Sequence, residues 1–257
     1  MSLEARLRTA RDDGRKLLVP YVTGGFAKDW PEVVQAIAAA GADAIEIGIP
    51  FSDPVMDGPT IQAASEQALA AGTTPSGILR DATGLDLGVP LVVMTYYNLV
   101  HHAGSERFAA SLVDAGVSAA IVPDLPLEEL NGWGDAAAAT GIETVLLAAP
   151  TTPDDRLRVI AERARGFVYA VSLLGVTGQR DALASPALSM GRRLKAVTDR
   201  PVLLGVGISN AAQAREASVA ADGVVVGSAL MARLLEGAGP DGAYAFVAEL
   251  RAALDAR

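Results

Sequence analysis

Cysteine is absent from the 257-residue chain, which excludes disulfides, iron–sulfur clusters and thiolate nucleophiles and is compatible with a reducing compartment. Histidine occurs only at His101 and His102. No carboxylate spacing around them suggests a metal site, so both read as loop residues and no metal is expected. Lysine is equally sparse: Lys16, Lys28 and Lys195 fall at the start of a strand, in a loop and within a helix. A Schiff-base aldolase needs a lysine facing its pocket, and none of the three lies inside a strand core. No apolar run approaches the ~18 residues needed to cross a bilayer, and the charged amphipathic start from Met1 to Arg15 lacks the apolar centre of a secretory signal. A cytoplasmic, soluble protein is the expectation. Positive charge is also in deficit, with a net charge of -9, which opposes non-specific attraction to nucleic acid or an anionic membrane.

What is present is a chain 51% hydrophobic, of a length usual for one α/β barrel domain spanning residues 1–257. Its 26 glycines and 14 prolines are spread evenly, so no linker interrupts it. Short β-branched and apolar runs alternate with longer segments of helical spacing. The runs are Leu17 to Val22, Asp43 to Gly48, Leu91 to Tyr96, Ala119 to Val122, Glu143 to Ala148, Gly166 to Ser172, Val202 to Val206 and Gly223 to Val226. Helices are predicted over Pro31 to Ala40, Thr60 to Ala70, Glu106 to Ala115, Leu127 to Thr140, Asp154 to Arg165, Pro186 to Thr198 and Asn210 to Ala220. Pro31 suits a first helical turn, and Gly41 and Gly116 suit left-handed helix ends. Parallel strands buried on both faces can close into a (β/α)8 TIM barrel, with an extra N-terminal helix at Met1 to Arg15. An open doubly wound sheet is the other arrangement of the same units. In a barrel, chemistry belongs to the loops after the strands' C-terminal ends.

The most informative of those junctions runs from Asp43 to Gln62. Alternation along the strand sets Ile45 and Ile47 on one face and Ala44, Glu46 and Gly48 on the other. Glu46 therefore points into the barrel if the isoleucines pack under helices. A buried Glu can simply be satisfied by nearby hydroxyls or backbone groups. With no cation in view, burial instead raises its pKa and suits it to both donating and accepting a proton. Asp53 and Asp57 lie in a loop constrained by Pro50, Pro54, Gly58 and Pro59, and each taken alone reads as a turn residue.

Glycines gather at three later strand ends: Gly175 to Gly178, Gly205 to Gly207 and Gly227-Ser228. One such motif alone is a turn. Loops after strands seven and eight, joined by a short helix starting near Ser228, form the recurring phosphate site of this barrel class, so a phosphorylated substrate is expected. The small, polar stretch Gln179 to Ser185 reads as a lid that would bring Thr177 to the carboxylates. Tyr21, Tyr96 and Tyr169 offer flat, partly polar surfaces near strand ends; Tyr96 is expected with Tyr21 and Thr177 in the pocket or lid that touches the substrate, and core packing is the alternative to which Tyr96 is most open.

The segment from Glu46 through Asp57 to Gln62 resembles the signature of tryptophan synthase alpha chains. Further matches are Pro20 to Thr23, Met94 to Asn98, Pro123 to Pro126 and Phe167 to Tyr169, which extends the resemblance over nearly the whole chain. It implies a lyase that splits indole-3-glycerol phosphate into indole and glyceraldehyde 3-phosphate. Glu46 would be the general acid/base, and Asp57 would accept the indole N–H. The resemblance puts Tyr169 by the reacting centre, Tyr21 beside the indole pocket, and Gly178, Gly207, Gly227 and Ser228 on the substrate phosphate. It further implies a beta-chain partner in an αββα heterotetramer, with pyridoxal phosphate in that partner and no cofactor in this chain. Two departures from the family pattern are Gly24-Gly-Phe26, where many members have Gly-Asp-Pro, and Leu173-Leu174. The other readings are a stand-alone lyase releasing free indole, another phosphosugar aldolase or isomerase, and a non-catalytic barrel that activates a second enzyme.

Overall fold

The computed structural model describes residues 2–171 and 185–256. Eight strands form a closed barrel in chain order. They are β1 (Leu17–Thr23), β2 (Ile45–Gly48), β3 (Leu91–Met94), β4 (Val117–Ile121), β5 (Glu143–Ala148), β6 (Val168–Val171), β7 (Val202–Gly205) and β8 (Gly223–Val226). Every pairing is parallel, and Leu17 to Pro20 of β1 register with Gly223 to Val226 of β8. That last pairing closes the ring and removes the open doubly wound sheet from consideration.

Helix α1 (Leu3–Asp12) precedes the barrel, as the amphipathic start predicts. The others are α2 (Trp30–Ala39), α3 (Pro59–Ala70), α4 (Pro75–Ala82), α5 (Tyr97–Ala103), α6 (Ser105–Asp114), α7 (Asn131–Thr140), α8 (Asp154–Arg163), α9 (Ser185–Lys195), α10 (Ala211–Ala220), α11 (Ser228–Leu235) and α12 (Gly239–Asp255). Pro31 sits in the first turn of α2, and Gly41 and Gly116 take φ of 101° and 73° past the ends of α2 and α6. The helix predicted over Leu127 to Thr140 is divided into a 3-10 turn at Leu127–Glu129 and α7. His101 and His102 are not loop residues: they occupy the last turn of α5. The start of that helix is held by Asp124 Oδ1, which accepts from Tyr97 N at 2.9 Å, and no local signal in the sequence announces a cap 27 residues away.

Alternation along the strands divides the core into two shells. Leu18, Val22, Ile45 and Ile47 pack outward against the helices. Leu17, Val19, Ala44, Val92, Ile121, Phe167, Leu203 and Val225 fill the interior, so the face expected for Glu46 is the inward one. Leu3 and Leu7 of α1 join that interior cluster at 0% exposure, each contributing about 2 kcal/mol of apolar burial. Glu143 at the head of β5 accepts from Glu4 N at 3.0 Å, which seats α1 across the N-terminal mouth. The opposite mouth is left for chemistry. No helix among the described residues is long and apolar enough to cross a membrane.

Buried charge ties the closing elements together. Asp43, just before β2, accepts from Leu18 N at 2.8 Å, Arg15 Nε at 2.6 Å and an Arg251 guanidinium nitrogen at 3.2 Å. Arg251, on α12, also donates to Lys16 O and Asp255. The Asp43 and Arg251 side chains are 9% and 8% exposed, so removing one leaves the other's charge poorly solvated. Asp43→Asn is therefore expected to lower unfolding free energy by about 2 kcal/mol or more in urea titration. A loss below about 0.5 kcal/mol would place this network among ordinary surface ion pairs.

Candidate active site

A cavity of ≈ 140 Å³ opens at the C-terminal mouth of the barrel, lined by Tyr21, Glu46, Met56, Asp57, Met94, Tyr169, Gly207, Gly227 and Ser228 among others. β1 supplies Tyr21, β2 supplies Glu46 and β6 supplies Tyr169, while Asp57 comes from the loop between β2 and α3. Parallel register sets Tyr21 directly beside Glu46 on neighbouring strands. Residues far apart in sequence converge because every strand ends at the same mouth.

Glu46 is 1% exposed, and its Oε2 has no hydrogen-bond partner among the described residues. Burial first, and the negative charge of Asp57 second, push its carboxyl up to about 8. At neutral pH it is chiefly a proton donor. Asp57 is also raised by burial, to about 6, with a hydrogen bond from the Tyr96 hydroxyl opposing the rise. It is chiefly an anion at neutral pH. Two carboxyls in one cavity are thus driven to opposite protonation states, which is the arrangement that divides acid from charge stabiliser. Asp53, in the same loop, is exposed and does not line the cavity.

Tyr21 and Tyr169 lie against the two carboxyls. Burial and then negative charge, chiefly from Asp57 at Tyr21 and from Glu46 at Tyr169, hold both phenols well above their ordinary pKa, so they remain neutral. The Tyr21 hydroxyl shares a hydrogen bond with Thr23 Oγ1 at 3.2 Å. A Cβ at Gly48 would overlap the Tyr21 hydroxyl, and one at Gly205 would overlap the Tyr169 ring. These two glycines make room for the tyrosines, a role their place in strands hints at but does not specify. Tyr96 does not line the cavity. It is 3% exposed behind the loop of Asp57, and its hydroxyl accepts from Met56 N at 3.0 Å.

At the far side of the cavity, Gly207 takes φ of 78°, a conformation that requires glycine. Gly227 has φ of -113°, open to any residue, and a Cβ there would make ordinary contact with Tyr21 at 3.4 Å. Ser228 opens α11, whose first N–H groups have no partner within the helix and face the cavity end with the positive end of the helix dipole. Thr177 and Gly178, with the predicted lid over Gln179 to Ser185 and the Leu173-Leu174 departure, lie outside the residues described in full. At the other departure, Gly25 takes φ of 72° with the Thr73 side chain against it, and Phe26 is buried. Among the described residues no group of three or more His, Asp or Glu could hold a metal.

Residues 7–252 match the family model described as tryptophan synthase alpha chain. The chain is 44% identical to the tryptophan synthase alpha chain of Thermobifida fusca, covering 99% of this chain and 96% of that one. It is 43% identical to that of Streptomyces coelicolor, over 96% and 94% of the two chains. Among solved structures, Mycobacterium tuberculosis tryptophan synthase superposes with a TM-score of 0.93 at 37% identity, covering 99% of this chain and 98% of that one. The alpha chain from Legionella pneumophila gives 0.90 at 30% identity, over 99% and 98%. The paired carboxyls, the glycine-lined far wall and the full-length match have one common account: the chain belongs to the tryptophan synthase alpha chain family, an enzyme subunit of tryptophan biosynthesis.

Proposed function

We propose that this chain cleaves indole-3-glycerol phosphate to indole and glyceraldehyde 3-phosphate. The observation that carries the proposal is a buried Glu46 carboxyl, its Oε2 without a partner among the described residues, sharing a cavity with Asp57 and with the N-terminus of α11. The α11 end, with Gly207, Gly227 and Ser228, suits the phosphate, because exposed N–H groups and the helix dipole favour an anion. Gly178 and Thr177 belong to the same proposal by family resemblance.

The chemistry needs a proton delivered to indole C3. Protonated Glu46 supplies it, and the ring becomes a cation with its charge at the N–H. The Asp57 carboxylate accepts that N–H and stabilises the charge. The ionised Glu46 then takes the proton of the hydroxyl on the carbon attached to C3. The C–C bond breaks, its electron pair returns to the ring, and the aldehyde forms as indole is released. Glu46 ends protonated as it began, so the cycle needs no redox partner. Tyr169 packs by the reacting carbon and Tyr21 by the ring. The scarcity of lysine in strand cores speaks against Schiff-base chemistry. The chain works with a beta chain in an αββα assembly, whose pyridoxal phosphate belongs to the partner.

Indole release assayed with a beta chain present should fall about a hundredfold or more in Glu46→Gln and substantially in Asp57→Asn. Undiminished release by Glu46→Gln would overturn the mechanism. The rate should also trace a bell against pH, with the acid limb near 6, where Asp57 takes up a proton, and the alkaline limb near 8, where Glu46 gives one up. A profile flat from pH 5 to 9 would contradict the assignment of these two groups. Stability carries an independent signature. The folded Glu46 carboxyl is raised from an ordinary 4.5 to about 8, so the unfolded chain releases its proton first and stability falls as pH rises through that window. Glu46→Gln should remove this loss and be the more stable protein at pH 8 by ~4 kcal/mol in denaturant titration, with little advantage at pH 4.

A further inference from the structure

The loop that carries Asp57 has no regular structure, yet its carboxylate has to meet a reacting ring within a few tenths of an ångström. Three contacts hold the loop. Ile49 N donates to Met94 O at 2.9 Å at the entry, and Gln62 Nε2 donates to Asp57 O at 2.7 Å at the exit. Between them stands Tyr96. Its hydroxyl accepts from Met56 N at 3.0 Å, one residue before Asp57. The Phe51 ring, from the start of the same loop, stacks on Tyr96 with centroids 5.1 Å apart. Tyr96 is itself anchored, because the next residue begins α5 under the Asp124 cap.

We propose that Tyr96 is a positioning residue for Asp57, its hydroxyl fixing the carboxylate's place by holding the loop backbone at Met56 N–H, one residue before it. This rests on the reading of Asp57 as the partner of the indole N–H. It departs from the expectation that Tyr96 touches the substrate. Among the described residues, Glu46 on β2 and the neutral phenols Tyr21 on β1 and Tyr169 on β6 are the other titratable groups facing the carboxylate, and Tyr96 is the one that lowers its pKa. A group placed only for packing would have no such electrostatic effect.

Tyr96→Phe keeps the ring and its stacking on Phe51 and removes the oxygen. The Asp57 carboxyl can be followed directly by carbon-13 NMR titration of aspartate-labelled protein, with Asp57→Asn identifying its resonance. In Tyr96→Phe the resonance should titrate at higher pH than in the wild type, because an ionised carboxylate has lost its donor. With indole-3-glycerol phosphate and a beta chain, kcat should fall about tenfold with KM changed less than about threefold, and the acid limb of the profile should move to higher pH. An unmoved resonance and an unmoved acid limb would overturn the proposal, whatever happens to the overall rate. Far-ultraviolet circular dichroism and thermal unfolding of Tyr96→Phe exclude a folding defect. If they reveal one, the same titration on Phe51→Leu, which keeps the hydroxyl and removes the stacking, takes its place, with an unchanged Asp57 titration expected and a raised one overturning the role of the hydroxyl. The NMR readout does not depend on turnover, so failure of the wild type to cleave the substrate would sink the reaction and leave the Tyr96 result standing as a separate finding.

Discussion

Glu46 is a carboxyl enclosed by a barrel, with no cation against it among the described residues. Charging such a group in a low-dielectric site is costly, and the cost appears as a pKa raised to about 8. The remainder of the fold makes that cost tolerable. Closure of β8 on β1 leaves no sheet edge, and the two packed shells give the barrel its stability. Leu3 and Leu7 from α1 complete the interior at the opposite mouth. The strained element is thereby confined to one end, where a carboxyl that holds its proton at neutral pH is chemically useful.

The two ends of the cavity are built by different means. On the side of Gly207 and Ser228 the lining is largely backbone, with Gly207 at φ of 78° and α11 starting at Ser228 with its first N–H groups unpaired within the helix. At the other end the working groups are carboxyls whose properties come from their surroundings. Gly48 and Gly205 connect the ends, since the space they leave admits Tyr21 and Tyr169 between them. The Asp57 loop is irregular in its own backbone but held at its ends by Met94 of β3 and Gln62 of α3 and in the middle by Tyr96 at the start of α5. A catalytic loop secured in this way can hold an anion without a neighbouring cation.

Much of the fold was legible in the order of residues. Each strand was found from its β-branched run, and Pro31, Gly41 and Gly116 stand where their backbone preferences put them. The errors have local and long-range causes. α5 was missed, and His101 and His102 with it, because the cap on its first turn is Asp124, brought close only by folding. Helix α4 carried a readable start, with Thr74 Oγ1 accepting from Gly77 N at 3.1 Å beside Pro75, but its Ser-Gly composition looks like a turn. The strand read to Tyr96 ends at Met94, and Tyr96 turns behind the Asp57 loop because its partners are Met56 and Phe51.

Sequence by itself determined the alternation of strands and helices, the inward face of Glu46 and the glycines at the phosphate end, because these follow from steric preference and from the two-residue period of a strand. Tertiary structure alone decided that the ring closes, that Glu46 is enclosed and Asp57 less so, and that the Tyr96 hydroxyl meets Met56 N in the Asp57 loop. Proton affinities and hydrogen-bond partners depend on desolvation and on distances between residues scores of positions apart. Those distances exist only once the eighth strand has met the first.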